Sequence, residues 1–342
     1  MCIRDSLGMR MDCLQCHDDR LDKVFLGDPD APRSGEQRDF HQLAAFFGDV
    51  RNSVSGIRDK KEEGYKARYL GEEDSHSIAA SVPFMPENVE SDGTLREQLA
   101  RWVTHRDNKP FARATVNRFW ALVMGRPLID PVDDIKLHGP FPPALELLAE
   151  DFAQHDFDVR RLIRMIVATD AFQRDSQADF EITLDHEKRW ASFPLTRLRP
   201  EQVAGAVSQA SSLTPLDSEA HIIRKLIKSG EMNEFVKRYG DTGEDEFVDR
   251  GGTIPQRLLM MNGQLVKERT KENLVFNAAT RIAVIAREPR KAVETAYLVV
   301  LSRRPTAEEM EHFVARIEPT QRTERIGALE DLCWVLVNST EF

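Results

Sequence analysis

The sequence predicts an all-α protein: a multi-helical domain preceded by a short cysteine-bearing segment and a linker. Three observations carry this reading. From residue 91 onward, apolar residues recur at three- and four-residue spacing, the period of a helix that buries one face. These stretches are bounded by helix punctuation, with capping residues before them and glycine just past their ends. No strand–helix–strand alternation interrupts them.

Residues 7–52 hold "DCLQCHDD", then "LGDPDAPRSGEQ", whose Gly, Pro, Asp and Ser content reads as a loop. The apolar "DFHQLAAFFGDV" follows, with Leu43, Phe46, Phe47 and Val50 at helical spacing, which predicts a packed amphipathic helix. Residues 53–90 are polar and weakly periodic, a linker or extended segment with a short strand near "SIAASVPF". Residues 91–342 form the helical domain. "GTLREQLARWVTH" sets Leu95, Leu99, Trp102 and Val103 on one face behind Thr94 as N-cap. "KPFARATVNRFWALVMG" has Pro110 in its first turn and Gly125 past its end. "PPALELLAEDFAQH" and "DVRRLIRMIVATDAF" come next, the second capped by Asp158. Further helices are expected at 199–213, 255–268, 273–287, 290–303, 306–317 and 322–338, with a capping box at Thr306–Glu309. Leu99, Trp102, Phe119, Leu122, Leu147, Leu162, Ile166 and Cys333 are expected in the core, and Glu146, Glu150 and Asp151 on a solvated face. Asn117 and Arg118, set between apolar positions, point to a buried hydrogen-bonding role between helices.

Charge and length bound the function. A formal charge of −10 over 342 residues argues against nucleic acid or an anionic membrane surface as partner. No apolar run approaches the roughly 20 residues of a membrane span. The opening "MCIRDS" fits no element that follows and resembles translated adapter sequence, so Cys2 is set aside. With the abrupt stop at "NSTEF", it suggests a piece of a longer protein.

The chemistry concentrates in "DCLQCH". Cys-x-x-Cys-His is the spelling of covalent c-type haem attachment. On a helical turn Cys13 and Cys16, three apart, face one side and can form thioethers to the two vinyl groups of a single porphyrin. His17, four residues from Cys13, reaches the same ring as proximal iron ligand. A structural zinc site wants a second ligand pair. The remaining credible cysteine, Cys333, lies far along the chain in the apolar "LEDLCWVLV" and reads as a core residue. A redox Cys-x-x-Cys would open a helix of a β-α-β unit, and none is visible.

These residues carry a resemblance. "MDCLQCHDD" followed by "DFHQLAAFFGDV" resembles the end of the planctomycete-type cytochrome c domain. "REQLARWVTHRDNKPFARATVNRFWALVMGRPLIDPVDD", "RLRPEQVAGAV", "LSRRPTAEE" and "NSTEF" are similar, in order, to the companion C-terminal domain of unknown function. The resemblance implies an exported, haem-binding protein with its N-terminal portion missing here. Relatives often read Cys-His-Asp-His, whereas this chain has Asp19 at the last position.

For the far side of the iron, His41 in "DFHQLAAFF" is the first candidate and Met85 in "PFMPE" the second. A separate cluster, Asp130, Asp133, Asp134 and His138 in "LIDPVDDIKLHG", suits a hard cation such as calcium or acid–base work. Asp is equally a turn and cap residue. The leading expectation is an extracytoplasmic protein with covalent haem c, in electron transfer or haem-dependent redox work with a redox partner protein. The alternatives are a hydrolase-like or metal-dependent enzyme using Asp133, Asp134 and His138, and a helical scaffold or interaction protein.

Overall fold

The computed structural model describes residues 6–28, 30–53, 56–59, 64–194, 198–211, 233, 235–239, 254–263, 266, 277–318, 322–339, 341 and 342. Cys2 and the expected helical stretches 212–213, 264–265, 267–268 and 273–276 lie outside them. The chain divides into two compact units, Met1–Thr196 and Arg197–Phe342.

The all-α expectation is overturned. Among the described residues 52% are helical, but 7% are strand, arranged in three small antiparallel sheets, so the class is mixed. Strand β1 (Phe25–Leu26), at the start of the stretch read as a loop, pairs with β2 (Arg33–Ser34) inside it. Strand β3 (Val50–Ser53) pairs with β4 (Gly56–Asp59), and β5 (Tyr65–Ala67) with β6 (His76–Ile78). These strands are two to four residues long and mostly solvent-facing, so they lack the alternation that betrays a half-buried strand. Leu26 and Ala67 are their buried residues, too few to mark a buried face in the sequence. Val50, expected on a helix, begins β3 instead.

Helix α1 (Gln37–Ala45) starts at a capping box formed by Glu36 and Asp39. Asp39 is buried and receives two bonds from the Arg33 guanidinium, at 2.7 and 2.5 Å, which ties α1 to β2. The pair holds the Arg33 pKa above its ordinary value. In α2 (Leu95–Val103), Thr94 and Glu97 make the reciprocal capping box, and Leu99 and Trp102 are buried. Leu14, Leu26, Leu43, Phe46, Phe84 and Trp102 share one core, so the cysteine segment, α1, the stretch before residue 90 and α2 pack together.

Helices α3 (Lys109–Met124), α4 (Pro143–Gln154) and α5 (Val159–Val167) form the second core of this unit, around Val116, Trp120, Leu145, Leu162 and Ile166. Asn108 caps α3, Pro110 lies in its first turn, and Gly125 ends it at φ 78°, where a side chain would strain the backbone. Asp158 accepts the Arg160 and Arg161 amides at the start of α5. Leu147 was expected inside but is 69% exposed. The buried stripe of α4 is Leu145, Leu148, Ala149 and Phe152, and position 147 falls about 200° around the helix from 145. Phe119 and Leu122 are half-buried. Glu146 and Asp151 do not simply face solvent: Arg113 grips Glu146, and Arg161 grips Asp151 at 2.8 Å through both oxygens. A short α6 (Leu184–Lys188), without a sequence signal beyond its Thr183 cap, follows.

In the second unit, α7 (Pro200–Ser211), α8 (Ile254–Asn262), α9 (Ala278–Ile285), α10 (Pro289–Leu301), α11 (Ala307–Ile317) and α12 (Arg322–Val337) enclose a core including Val293, Tyr297, Leu329 and Cys333. Burial pushes the Cys333 thiol up to about 12, so it stays protonated and inert. Arg303 binds both Glu309 and Glu341, fastening the chain's end to α11.

Candidate functional site

Residues Asp12–Gln15 make one 3-10 turn, continued by Cys16 and His17, whose amides both reach the Cys13 carbonyl, at 3.3 and 3.4 Å. Cys13, Cys16 and His17 are all exposed on this turn, and both thiols are free. Between them Leu14 is fully buried and anchors the turn in the core. His17 Nδ1 lies 2.7 Å from the Asp18 carbonyl. A carbonyl oxygen only accepts, so Nδ1 carries the hydrogen and Nε2 keeps its lone pair.

The two carboxylates after the motif organise its surroundings. Asp18 accepts the Gln37 amide at 2.8 Å, while the Gln37 carboxamide donates to the Gln15 carbonyl and accepts from the Leu70 amide. The start of α1 is thereby clasped to the turn. Asp19 accepts the amides of Leu21, Lys23 and Val24 at 3.0, 2.7 and 2.6 Å. Burial pushes its pKa up, but these three bonds outweigh that and bring it below the usual carboxylate range.

His41 is 7% exposed on the inner side of α1. Its Nδ1 is 3.0 Å from the Tyr65 hydroxyl, and its ring is flanked by Phe40 and Tyr69. Nε2 is buried without a hydrogen bond. Burial depresses the ring's pKa, and the carbonyl of Gln15 nearby opposes that without overcoming it. His41 therefore stands on the covered side of the turn, whereas Cys13, Cys16 and His17 occupy its exposed side. Met85 is half-buried against the same core. Its amide donates to Asp28 and its carbonyl accepts from Trp102 Nε1 at 3.2 Å.

The acidic loop is positioned from three directions. Asn117, fully buried on α3, donates to the Ile129 carbonyl at 2.8 Å and accepts the Ile129 amide at 2.9 Å. Its expected buried role thus pins a loop rather than a second helix. The Ile135 amide donates to the Gly8 carbonyl at 2.6 Å. A Cβ at Gly8, at φ +65°, would sit 3.0 Å from Ala114 and 3.2 Å from Ile135, so glycine permits this approach. Asp133 is buried and takes the Arg10 Nε and Nη2 donors at 3.2 and 2.9 Å. Asp130 and Asp134 are exposed, and His138 is half-buried with its Nε2 covered and without a partner. Asp133 is thus engaged by Arg10, while Asp134 and His138 border a cleft of about 210 Å³ shared with Lys23, Phe25 and Lys136. The partnership of residues 10 and 133 has no local signal, because 123 positions separate them. Among the described residues, no group of three or more His, Cys, Asp or Glu is placed to hold a metal ion. Nor is any helix among them long and apolar enough to cross a membrane.

Comparison with known proteins finds no match among curated proteins and none among solved structures. One family model does match: residues 95–221 are similar to a planctomycete-type domain described as a protein of unknown function (DUF1553).

Proposed function

We propose that the turn around Cys13 carries covalently attached haem c in an extracytoplasmic protein working in electron transfer or haem-dependent redox chemistry. The observation that carries this reading is the exposure of two free thiols and His17 on a single turn, with the imidazole tautomer set by the Asp18 carbonyl. The resemblance of the "DCLQCHDD" and "DFHQLAAFF" stretches to the end of the planctomycete-type cytochrome c domain supports it.

Each thiol would add across one vinyl group, its sulfur bonding one carbon and its hydrogen passing to the other, so no oxidant is consumed. The haem supplies one-electron chemistry at its iron. His17 Nε2 has the lone pair an iron ligand requires, and the Nδ1–H bond to Asp18 supplies the outer-shell contact that orients a ligating imidazole. Leu14, Asp18 and Asp19 hold the turn in shape. The reading assigns no sixth ligand: His41 is covered and bonded to Tyr65, and Met85 packs into the core. Because covalent haem attachment is completed outside the cytoplasm, the same reading entails export.

The test is secretion of the chain with haem-maturation machinery, followed by visible spectroscopy of the reduced protein in alkaline pyridine. A haemochrome of c-type position supports the proposal. A colourless protein whose two thiols remain fully titratable refutes it.

A further inference from the structure

We propose that the cleft between β1 and the 134–138 loop binds a small monocarboxylate with an apolar body. The cleft is built by segments more than a hundred residues apart in sequence, held together by the Gly8–Ile135 hydrogen bond and the Arg10–Asp133 ion pair. Its floor is apolar, with Met9, Val24, Ile135 and Leu137 all buried. Phe25, 45% exposed, offers its ring at the edge.

The polar groups specify the ligand's charge. Lys23 and Lys136 line the cleft, are exposed, and have no ion-pair partner among the described residues. Asp134 lines it as well, and Arg10 is already matched by Asp133. Two lysines against one free carboxylate leave a single excess positive charge, which suits a monoanion better than a phosphate dianion or a polyanion. His138 Nε2, buried without a partner, supplies a hydrogen-bonding atom that a bound ligand would satisfy. A volume of about 210 Å³ is smaller than the roughly 300–1,000 Å³ of drug-sized sites and limits the ligand to roughly ten heavy atoms. Apolar floor, unpaired ammonium groups and an unsatisfied ring nitrogen together describe a carboxylate on a ring or short chain. None of the lining residues is Cys13, Cys16 or His17, so the inference stands independently of the haem proposal.

The test titrates the full chain with benzoate, cyclohexanecarboxylate and hexanoate at low ionic strength, by ligand-observed NMR, with benzamide as the neutral comparison. At least one carboxylate is expected to bind saturably with Kd near or below about 1 mM, and benzamide about tenfold more weakly or worse. Lys23→Gln and Lys136→Gln should each weaken the carboxylate about three- to tenfold, and added salt should weaken it further. Lys188→Gln, on α6 and outside the cleft, should leave it unchanged. Both cleft lysines are exposed, so unaltered melting of the variants will separate lost binding from lost folding. Failure of all three carboxylates to saturate overturns the proposal. So does equal binding of benzamide, or a double Lys→Gln variant that binds like the parent.

Discussion

Asn117→Ala is the sharpest perturbation of the architecture that positions the 129–138 loop. The Asn117 carboxamide makes with Ile129 the two bonds a neighbouring strand would make, from a fully buried site on α3. Truncation leaves one backbone donor and one backbone acceptor without partners. A buried unsatisfied group costs about 1–3 kcal/mol. Ile129 is half-buried, so water recovers part of that, and the two groups together should cost about 3 kcal/mol. In a unit of this size, about 2–4 °C of melting temperature is lost per kcal/mol, giving a drop of about 6–12 °C. The assay is a calorimetric melt paired with amide exchange at Ile129 and Ile135, whose protection should fall together. Asn117→Asp, which keeps the acceptor but turns a carboxylate toward the Ile129 carbonyl, should be at least as damaging. An Ala variant melting within about 2 °C of the parent, with Ile129 still protected, would refute the pinning role.

Three further outcomes follow from the geometry. Leu145→Ala should cost about 2–5 kcal/mol in denaturant unfolding and Leu147→Ala no more than about 0.5 kcal/mol. The reverse order would contradict the register of α4. Asp19→Ala should cost about 1–2 kcal/mol and expose the Lys23 and Val24 amides to exchange, since three amides lose their acceptor; unchanged protection would remove Asp19 as the organiser of that loop. The hydrogen bond from Arg303 holds the Glu309 carboxyl down at about 2, against an ordinary 4.5. Its pKa is lower folded than unfolded, so the stabilisation is present above about pH 4.5 and disappears as the pH falls toward about 2. The melting advantage of the parent over Glu309→Gln should therefore shrink across that window, and an advantage that grew on acidification would contradict the pairing.

What could be read from the sequence was what is decided locally. The Thr94 cap, the capping box at Thr306–Glu309, the Asp158 cap and the glycine after α3 act within a single turn, so their residues announce them. The Cys-x-x-Cys-His spacing likewise describes one turn, and the structure places its three side chains on one. Apart from the short strand expected near "SIAASVPF", whose first residues fall in β6, the strands of the hairpins escaped because two to four mostly exposed residues leave no period to detect. Leu147 was misassigned because α4 has leucine at 145, 147 and 148, and composition alone does not select the buried pair. The cleft was invisible for a different reason. Arg10 and Lys23 belong to the cysteine segment and Asp133 and Lys136 to the helical domain, and only the folded chain brings them together. Asp19 organises the following loop by accepting three amides two to five residues on, a role that the carboxylate alone does not announce.

The most direct measurement of the central claim is the intact mass of the secreted chain after denaturation, made for the parent and for Cys13→Ala, Cys16→Ala and the double variant. Thioether attachment predicts a parent heavier by one haem even when unfolded, single variants with reduced incorporation, and a double variant that loses the added mass entirely. A parent at its bare polypeptide mass after maturation in a host that attaches haem to a control cytochrome would contradict it.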